Sequence, residues 1–477
     1  MILGHNPTQL FQIGFHLSFL AVIALVWLAP RLVPLRKTDP LTKLIDKSRG
    51  SWERGLRSLG RKTLYWCAAS LSIWCLTLPI AANGFHLISP IGLVLNVFLW
   101  IPVTVALFSG FGTLCLGWIS PIGGLLGGVC STSFVCLESV VKWAEMVPGS
   151  YQWVAGPTNA TVAFFYGGLS LVLFSSWLRR YSIQWAVVIA CASFLLNGFQ
   201  DRDVAGELRC TFLSVGHGCC VVAELPDGEV WLYDAGSIAG PNFVVDAVSQ
   251  YLWQRRIGRI DSMIVSHADI DHFNGVPDLL TRFPVGEVVC APSMLRVDES
   301  AVELLKRTID DADVRLRTVA DGETLVPREG LGVRVAVLHP PGEGVDGSDN
   351  ANSIVLLMDY QGKRILLTGD IEFAGLDRLL KTYQVDVDVA MAPHHGSPRS
   401  EPARFVQWCK PEIVVISSGH QRDTKKACAL YESVGRTRAY HTSRDGAVSV
   451  VVDGAGLRLD SVRNAPSAKF KSIDAAN

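Results

Sequence analysis

Apolar residues fall in long unbroken runs up to about residue 200 and in short, turn-bounded runs after about residue 205. The two halves are therefore built for different surroundings. Six runs, near residues 10–30, 63–83, 87–108, 112–140, 160–178 and 183–199, predict membrane-spanning helices, since about 20 apolar residues cross a bilayer. The fourth run carries Ser120-Pro121-Ile122-Gly123-Gly124, which predicts a broken or re-entrant helix. The first run lacks a signal-type cleavage site and is followed by further runs, so it reads as a retained helix. Residues 1–200 are thus expected to form an N-terminal multi-span α-helical membrane domain.

The later half changes period. Short β-type runs predict strands over 208–215, 221–225, 230–234, 263–266, 333–338, 354–359, 364–368, 387–392, 413–417 and 447–452. Helical spacing falls between several of them, at 243–256, 275–283, 299–312, 373–383 and 402–409. Mixed strands and helices predict packed sheets covered by helices, an α/β domain over residues 205–461. Residues 462–477 are polar and are expected to be a disordered tail.

Charge sharpens the division. Of the 43 Lys/Arg and 44 Asp/Glu residues, 13 and 5 lie in residues 1–200. The net charge of −1 therefore hides a membrane half of +8 and a later half of −9. Ten Lys/Arg residues lie in 31–62, among them Arg31, Arg36, Lys37, Arg61 and Lys62, and Arg179-Arg180 lie between the last two runs. Positive loops face the cytoplasm; six crossings satisfy both markers and leave the later half outside, in a plasma (inner) membrane protein. Residues 142–158, with Trp143 and Trp153, then read as an outer interfacial stretch. Of the 12 cysteines none forms a CxxC pair, so a thiolate zinc site is not expected.

The densest chemistry is His267-Ala268-Asp269-Ile270-Asp271-His272, four metal-capable side chains in six residues after an apolar β-type run. An ordinary polar loop at a helix N-terminus is the plainer alternative. Two imidazoles and two carboxylates at a strand end suit a pair of divalent cations. Related residues end other strands: Asp234 in Leu232-Tyr233-Asp234-Ala235-Gly236, Asp370 in Thr368-Gly369-Asp370, His394 and His395 in Pro393-His394-His395-Gly396-Ser397, and Ser417-Ser418-Gly419. Strand-end Asp and Gly are common in turns, so recurrence in order carries the reading. No Ser or Cys nucleophile stands in a triad pattern, and a lone His217 or His441 is expected to be structural.

These residues resemble the metallo-β-lactamase superfamily, and the chain as a whole resembles ComEC-type DNA-uptake proteins of bacterial competence. Phe15-His16-Leu17-Ser18-Phe19-Leu20-Ala21 and Val215-Gly216-His217-Gly218 add to that resemblance. It implies a four-layer αβ/βα metallo-β-lactamase-like sandwich with a binuclear centre. His267 and Asp269 would bind one ion, and Asp271 and His272 the second. Asp370 would bridge them, and His394 would complete the second site. His395 could be a ligand or a donor to substrate phosphate, and is taken with Asp271 as catalytic. Asp234 would orient a ligand histidine. Ser397, Ser418 and Gly419 are expected at the substrate. The superfamily's middle histidine has no clear match: Asn352, Ser353 and His339 are the alternatives. An oxygen-rich set admits Mn²⁺ beside Zn²⁺.

The resemblance implies a membrane-anchored nuclease with DNA and the lipid bilayer as partners. It also implies other competence-system proteins supplying a channel segment that this chain lacks. His395, His420 or His441 could protonate the leaving oxygen, and Arg399, Arg422, Lys425 and Lys426 could line a groove. Two other classes stay open: a metallohydrolase acting on a non-nucleic-acid ester or lactone, and an inactive membrane scaffold. The acidic later half counts against a broad duplex-binding face.

Overall fold

A computed structural model describes residues 12–32, 50–198, 206–325, 332–419, 424–462 and 468–469. The chain divides into two compact units, Met1–Asp201 and Arg202–Asn477.

Among the described residues, the apolar runs of the first unit form six helices. The first is Ile13–Ile23, which continues through a π-helical stretch, Ala24–Leu28, into Ala29–Leu32; the others are Ser51–Phe85, Gly92–Leu116, Ser120–Glu145, Asn159–Phe174 and Ser182–Gly198. Helical backbone satisfies its own polar groups, which is what an apolar medium demands. Hydroxyls follow the same rule: Ser72, Thr77, Thr104 and Ser109 each donate to the carbonyl four residues earlier. Among the described residues, Ser51–Phe85, Gly92–Leu116 and Ser120–Glu145 are long and apolar enough to cross a membrane. The other three of the six expected spans are shorter apolar helices within the described residues, Ile13–Leu28, Asn159–Phe174 and Ser182–Leu196.

Two further expectations change. The fourth run, 112–140, is interrupted at 117–119 rather than within Ser120–Gly124. Pro121 stands at the start of Ser120–Glu145, where its fixed φ suits the first turn and its missing N–H costs nothing. The break falls earlier, between Leu116 and Ser120. The basic segment 31–62 is not all loop either: Arg54, Arg57, Arg61 and Lys62 ride on Ser51–Phe85, while Arg36 and Lys37 lie outside the described residues. Trp153 of the expected interfacial stretch pairs with Leu87 in a short antiparallel sheet, β1 (Leu87–Ile88) with β2 (Gln152–Trp153).

The second unit is a sandwich of two sheets. One contains β3 (Leu208–Phe212), β4 (Val221–Glu224), β5 (Val230–Tyr233), β6 (Ile260–Ile264), β7 (Val285–Cys290), β8 (Arg315–Thr318), β16 (Val448–Asp453), β17 (Gly456–Ser461) and β18 (Ala468–Lys469). Its order is β18-β17-β16-β3-β4-β5-β6-β7-β8. The other contains β9 (Thr324–Leu325), β10 (Arg334–His339), β11 (Val355–Tyr360), β12 (Lys363–Leu367), β13 (Val389–Met391), β14 (Ile413–Ile416) and β15 (Arg438–His441), in the order β15-β14-β13-β12-β11-β10-β9. The pairings β5-β6-β7-β8 and β12-β13-β14-β15 are parallel, and those on either side of them are antiparallel.

Alternation decides the layers. Phe212, Val221, Tyr233 and Ile264 of the first sheet meet Leu356, Ile365, Val389 and Val415 of the second in one buried core. Their neighbours one position along face outward. On the second sheet Val355, Leu366, Ala390 and Val414 pack with Leu376, Leu379, Phe405 and Tyr431 of helices Phe373–Thr382, Pro402–Cys409 and Thr424–Glu432. On the first, Tyr251 of helix Pro241–Gln254 reaches Thr211 and Glu224. Helix, sheet, sheet and helix make four layers. The tail is not wholly irregular, because Ala468 and Lys469 pair with β17.

Phe405 is fully buried and Phe373 is 54% exposed. Phe405→Ala is expected to cost the second unit about 3–5 kcal/mol, against no more than about 0.5 kcal/mol for Phe373→Ala. Thermal unfolding of the two full-length variants checks the difference.

Candidate metal centre

Parallel strands deliver their C-terminal ends to one edge, and that edge collects the chemistry. After β5 comes Asp234, after β6 Ser266 and His267, after β12 Asp370, after β13 His394 and His395, and after β14 Ser417 and Ser418. The turns are tight. Asp234, His394 and His395 adopt φ of 58°, 46° and 54°, a left-handed conformation that costs such residues about 1–3 kcal/mol each unless surroundings enforce it. Gly236 allows the closest approach: a Cβ there would lie 2.2 Å from the Asp271 carbonyl carbon and 2.3 Å from the His272 nitrogen. Only a glycine lets the His-x-Asp-x-Asp-His turn settle onto the end of β5.

Four imidazoles at this edge, His267, His272, His394 and His395, are each held by Nδ1. The Asp234 carboxylate accepts from the Ser266 N–H at 2.7 Å, the Ser266 hydroxyl at 2.8 Å and His272 Nδ1 at 2.8 Å. The same hydroxyl accepts from His267 Nδ1 at 2.9 Å. His395 Nδ1 donates to the Ser417 carbonyl at 2.7 Å, and His394 Nδ1 to Glu372 at 2.7 Å. With its proton held at Nδ1, the neutral ring turns the Nε2 lone pair inward.

What the Nε2 atoms meet is the telling feature. His267 Nε2, His272 Nε2, His395 Nε2 and Asp370 Oδ1 are buried without a hydrogen bond, a condition that costs about 1–3 kcal/mol per group if nothing fills it. They face carboxylates instead. His272 Nε2 lies 3.3 Å from Asp370 Oδ1, and His395 Nε2 lies 3.3 Å from Asp370 Oδ2 and 3.5 Å from Asp271 Oδ2. His267 Nε2 lies 3.3 Å from Asp269 Oδ2. Two donors on one tetrahedral cation at about 2.0–2.1 Å stand about 3.3–3.4 Å apart. The spacing and the nitrogen–oxygen donor set both fit divalent metal.

Two groups of ligand atoms emerge: His267, His272 and Asp370, and His217, Asp271 and His395. A third group, Cys219, Asp234 and His272, does not qualify. Its Asp234 oxygens are already taken by donors, and burial, with Asp234 nearby, holds the Cys219 thiol far above its usual range.

Electrostatics point the same way. Burial tends to weaken His272 as a base, yet Asp370 and Asp234 outweigh it and hold the ring well above the usual imidazole range. Burial would raise Asp370, but His272 and His395 hold it well below the usual carboxylate range. Asp271 is likewise held low, against burial, by the His395 hydrogen bond. The cluster favours positive charge among its carboxylates.

The structure thus brings Asp234, His267, Asp269, Asp271, His272, Asp370 and His395 together. His394 stands farther off, its Nε2 3.8 Å from Asp370 Oδ2 and its side chain 23% exposed, whereas that of His395 is 3% exposed. Of the three middle alternatives, Ser353 is the one that reaches the cluster, its hydroxyl accepting the Asp370 N–H at 3.2 Å. Asn352 closes its own loop on Val345. His339 is pushed down to about 4 by burial and hydrogen-bonds the Ala351 carbonyl. Among the residues expected at the substrate, Ser397 Oγ accepts the Arg399 N–H. Ser418 exchanges hydrogen bonds with Thr442, and Gly419 packs against the His217 backbone. His441 caps the turn Thr442–Asp445. His420 and Arg422 lie outside the described residues.

Sequence reasoning missed Glu372, Ser266 and the closeness of His217. Glu372 could have been found from its place two residues after Asp370, and Ser266 from its place directly before His267.

The fold and site define a class, a membrane domain joined to a metallo-β-lactamase-type domain of metal-dependent hydrolase character. A family model described as "Competence protein" matches residues 1–180, and one described as "Beta-lactamase superfamily domain" matches residues 239–442. The two matches, in this order along the chain, are consistent with a ComEC-type protein. It is 25% identical over 445 residues to ComE operon protein 3 of Bacillus subtilis, covering 88% of this chain and 52% of that protein. It is 24% identical over 476 residues to Competence protein ComA of Neisseria gonorrhoeae, covering 97% and 59%. The chain spans about half the length of the curated relatives it matches. The metallo-β-lactamase fold protein YhfI from Bacillus subtilis superposes with a TM-score of 0.36 at 11% identity, over 50% of this chain and 97% of that one.

Asp234→Ala is expected to weaken Zn²⁺ or Mn²⁺ binding about 10–100-fold, because His272 and the Ser266–His267 pair lose the acceptor that aims them. Titration of the purified variant with metal checks it; unchanged affinity would mean that Asp234 does not orient ligands.

Proposed function

We propose that the chain is a membrane-anchored, metal-dependent phosphodiesterase that hydrolyses DNA during uptake in natural competence. The observation that carries this reading is the convergence of His267, His272, His395 and Asp370 in a buried cluster with their inward atoms lacking hydrogen bonds. Membrane helices and the competence matches supply the biological setting.

Two divalent cations, Zn²⁺ or Mn²⁺, would be held by His267, Asp269 and His272 on one side and by Asp271 and His395 on the other. Asp370 would lie between the two sides, with Oδ1 toward His272 and Oδ2 toward His395. Bound there, they would lower the pKa of water and offset charge on a phosphodiester. Ser353 fixes the Asp370 backbone, and Asp234 fixes His272. His394 is the group we assign to the leaving oxygen: Glu372 sets its tautomer, and it is the more exposed member of the histidine pair. Exposed Arg399, Lys425 and Lys426 supply cations for the phosphate backbone despite the acidic net charge.

Full-length protein incubated with labelled single- and double-stranded DNA is expected to cleave only with added Zn²⁺ or Mn²⁺. Asp271→Ala and Asp370→Ala should each lower the rate at least about 100-fold. Metal uptake without cleavage would favour the ester or lactone reading, and no metal uptake would favour the inactive scaffold.

The same proposal places the hydrolase domain outside the cytoplasm. Its support is the cluster Arg54, Arg57, Arg61 and Lys62 at the start of Ser51–Phe85 and the Arg179-Arg180 pair between the last two helices. Alkaline phosphatase fused at the C-terminus should be active; an inactive fusion, with an active cytoplasmic reporter at the same point, reverses the orientation.

A further inference from the structure

His217 was expected to be structural, and its surroundings argue otherwise. It lies on the loop between β3 and β4, flanked by Gly216 at φ 78° and Gly218 at φ 147°. That loop is pressed onto the metal-site turn. A Cβ on Gly218 would lie 2.3 Å from the Gly236 carbonyl oxygen and 2.9 Å from that of Asp271. The Cys219 N–H donates to the Asp271 carbonyl at 3.3 Å. On the far side, a Cβ on Gly419 would stand 2.8 Å from the His217 nitrogen. The His217 carbonyl accepts the Ile238 N–H at 2.7 Å. Backbone on three sides fixes where the His217 side chain starts.

The ring is aimed at the cluster. Its centroid lies 4.7 Å from that of His395. One ring nitrogen, an Asp271 oxygen and a His395 nitrogen all lie within 4.8 Å of one another. One of these partners is both unsatisfied and strained: His395 Nε2 is buried without a hydrogen bond, and His395 has φ 54°. His267 and His272 form a separate group with Asp370, His272 Nε2 facing its Oδ1. A cation held by Asp271 and His395 alone would have two side-chain donors besides Asp370, and His217 is the imidazole whose ring nitrogen groups with both of them.

We infer that His217 is a metal ligand, completing with Asp271 and His395 a second cation position that shares Asp370 with the first. The inference rests on the proposed metal centre and adds to it a ligand and a preference. Two imidazoles with carboxylates make this position richer in nitrogen than a carboxylate-dominated one. Nitrogen donors favour Zn²⁺ over Mn²⁺. His217 is also the most accessible member of its group, so this position is the one expected to exchange its ion first.

The test is metal content and spectrum of full-length protein, wild type against His217→Gln and His217→Ala, each loaded with Zn²⁺ or Co²⁺ and dialysed. Wild type should retain two ions per chain. Both variants should keep one and bind the other at least about 10-fold more weakly, and the visible absorption of the Co²⁺ form should lose intensity. Equal unfolding temperatures of variants and wild type in chelator show that the loop still folds. Two ions retained at wild-type affinity with an unchanged Co²⁺ spectrum overturn the ligand role of His217 alone. A wild type that holds no ion overturns the metal centre itself, and the present inference with it.

Discussion

A carboxylate cut off from water must have its charge answered by donors, and in this protein Asp234 is where that requirement shapes everything nearby. Its side chain is fully buried, and it takes the Ser266 N–H, the Ser266 hydroxyl and the His272 ring. Hydrogen bonds to a charged group are worth about 1.5–3 kcal/mol each, and leaving such a carboxylate unpaired would cost more. The consequence is geometric. Once Ser266 and His272 are fixed, His267 is fixed through the shared hydroxyl, and two Nε2 atoms are committed to one small volume. The second sheet then supplies Asp370 and His395 to the same volume from its own parallel strand ends.

This division of labour explains why the centre needs two sheets. One sheet contributes the dense turn after β6, and the other contributes residues scattered over β12, β13 and β14. The core between the sheets, Tyr233 against Ile354 and Phe212 with Val415, keeps the two edges in register. The Tyr233 hydroxyl bonds the Ile354 carbonyl at 2.5 Å directly beneath the site, so the packing and the chemistry share residues. Strain at Asp234, His394 and His395 is tolerated because hydrogen bonds on both sides enforce it.

Much of this was legible in the sequence. All ten expected strands are present, because alternation of the type in 221–225 and 354–359 reports a buried sheet face directly. Of the strands that escaped, β8, β9, β15, β17 and β18 are short, charged or at sheet edges, and β7 has Gly286 and Glu287 breaking its apolar run; Arg315–Thr318 has no fully buried residue and no period to read. In the membrane half the apolar runs located the helices but not their lengths, since hydropathy does not say where a proline starts a helix, as Pro121 does. At the site, spacing found the turn His267 to His272 because its metal-capable side chains lie within six residues. It could not rank His394 against His395, whose difference lies in two left-handed φ values, nor bring in His217, which comes from a loop 50 residues before His267. Ser353 stood among three alternatives because all three are near in sequence, and only folding separates the one that touches Asp370.

Anomalous diffraction from crystals of the protein grown with Zn²⁺ or Mn²⁺ tests the central claim most directly. The account predicts two peaks about 3.5–4 Å apart, one on either side of the Asp370 carboxylate, the first against His267 and His272 and the second against Asp271 and His395. A map with no peak between these side chains, or with metal only at surface carboxylates, contradicts it.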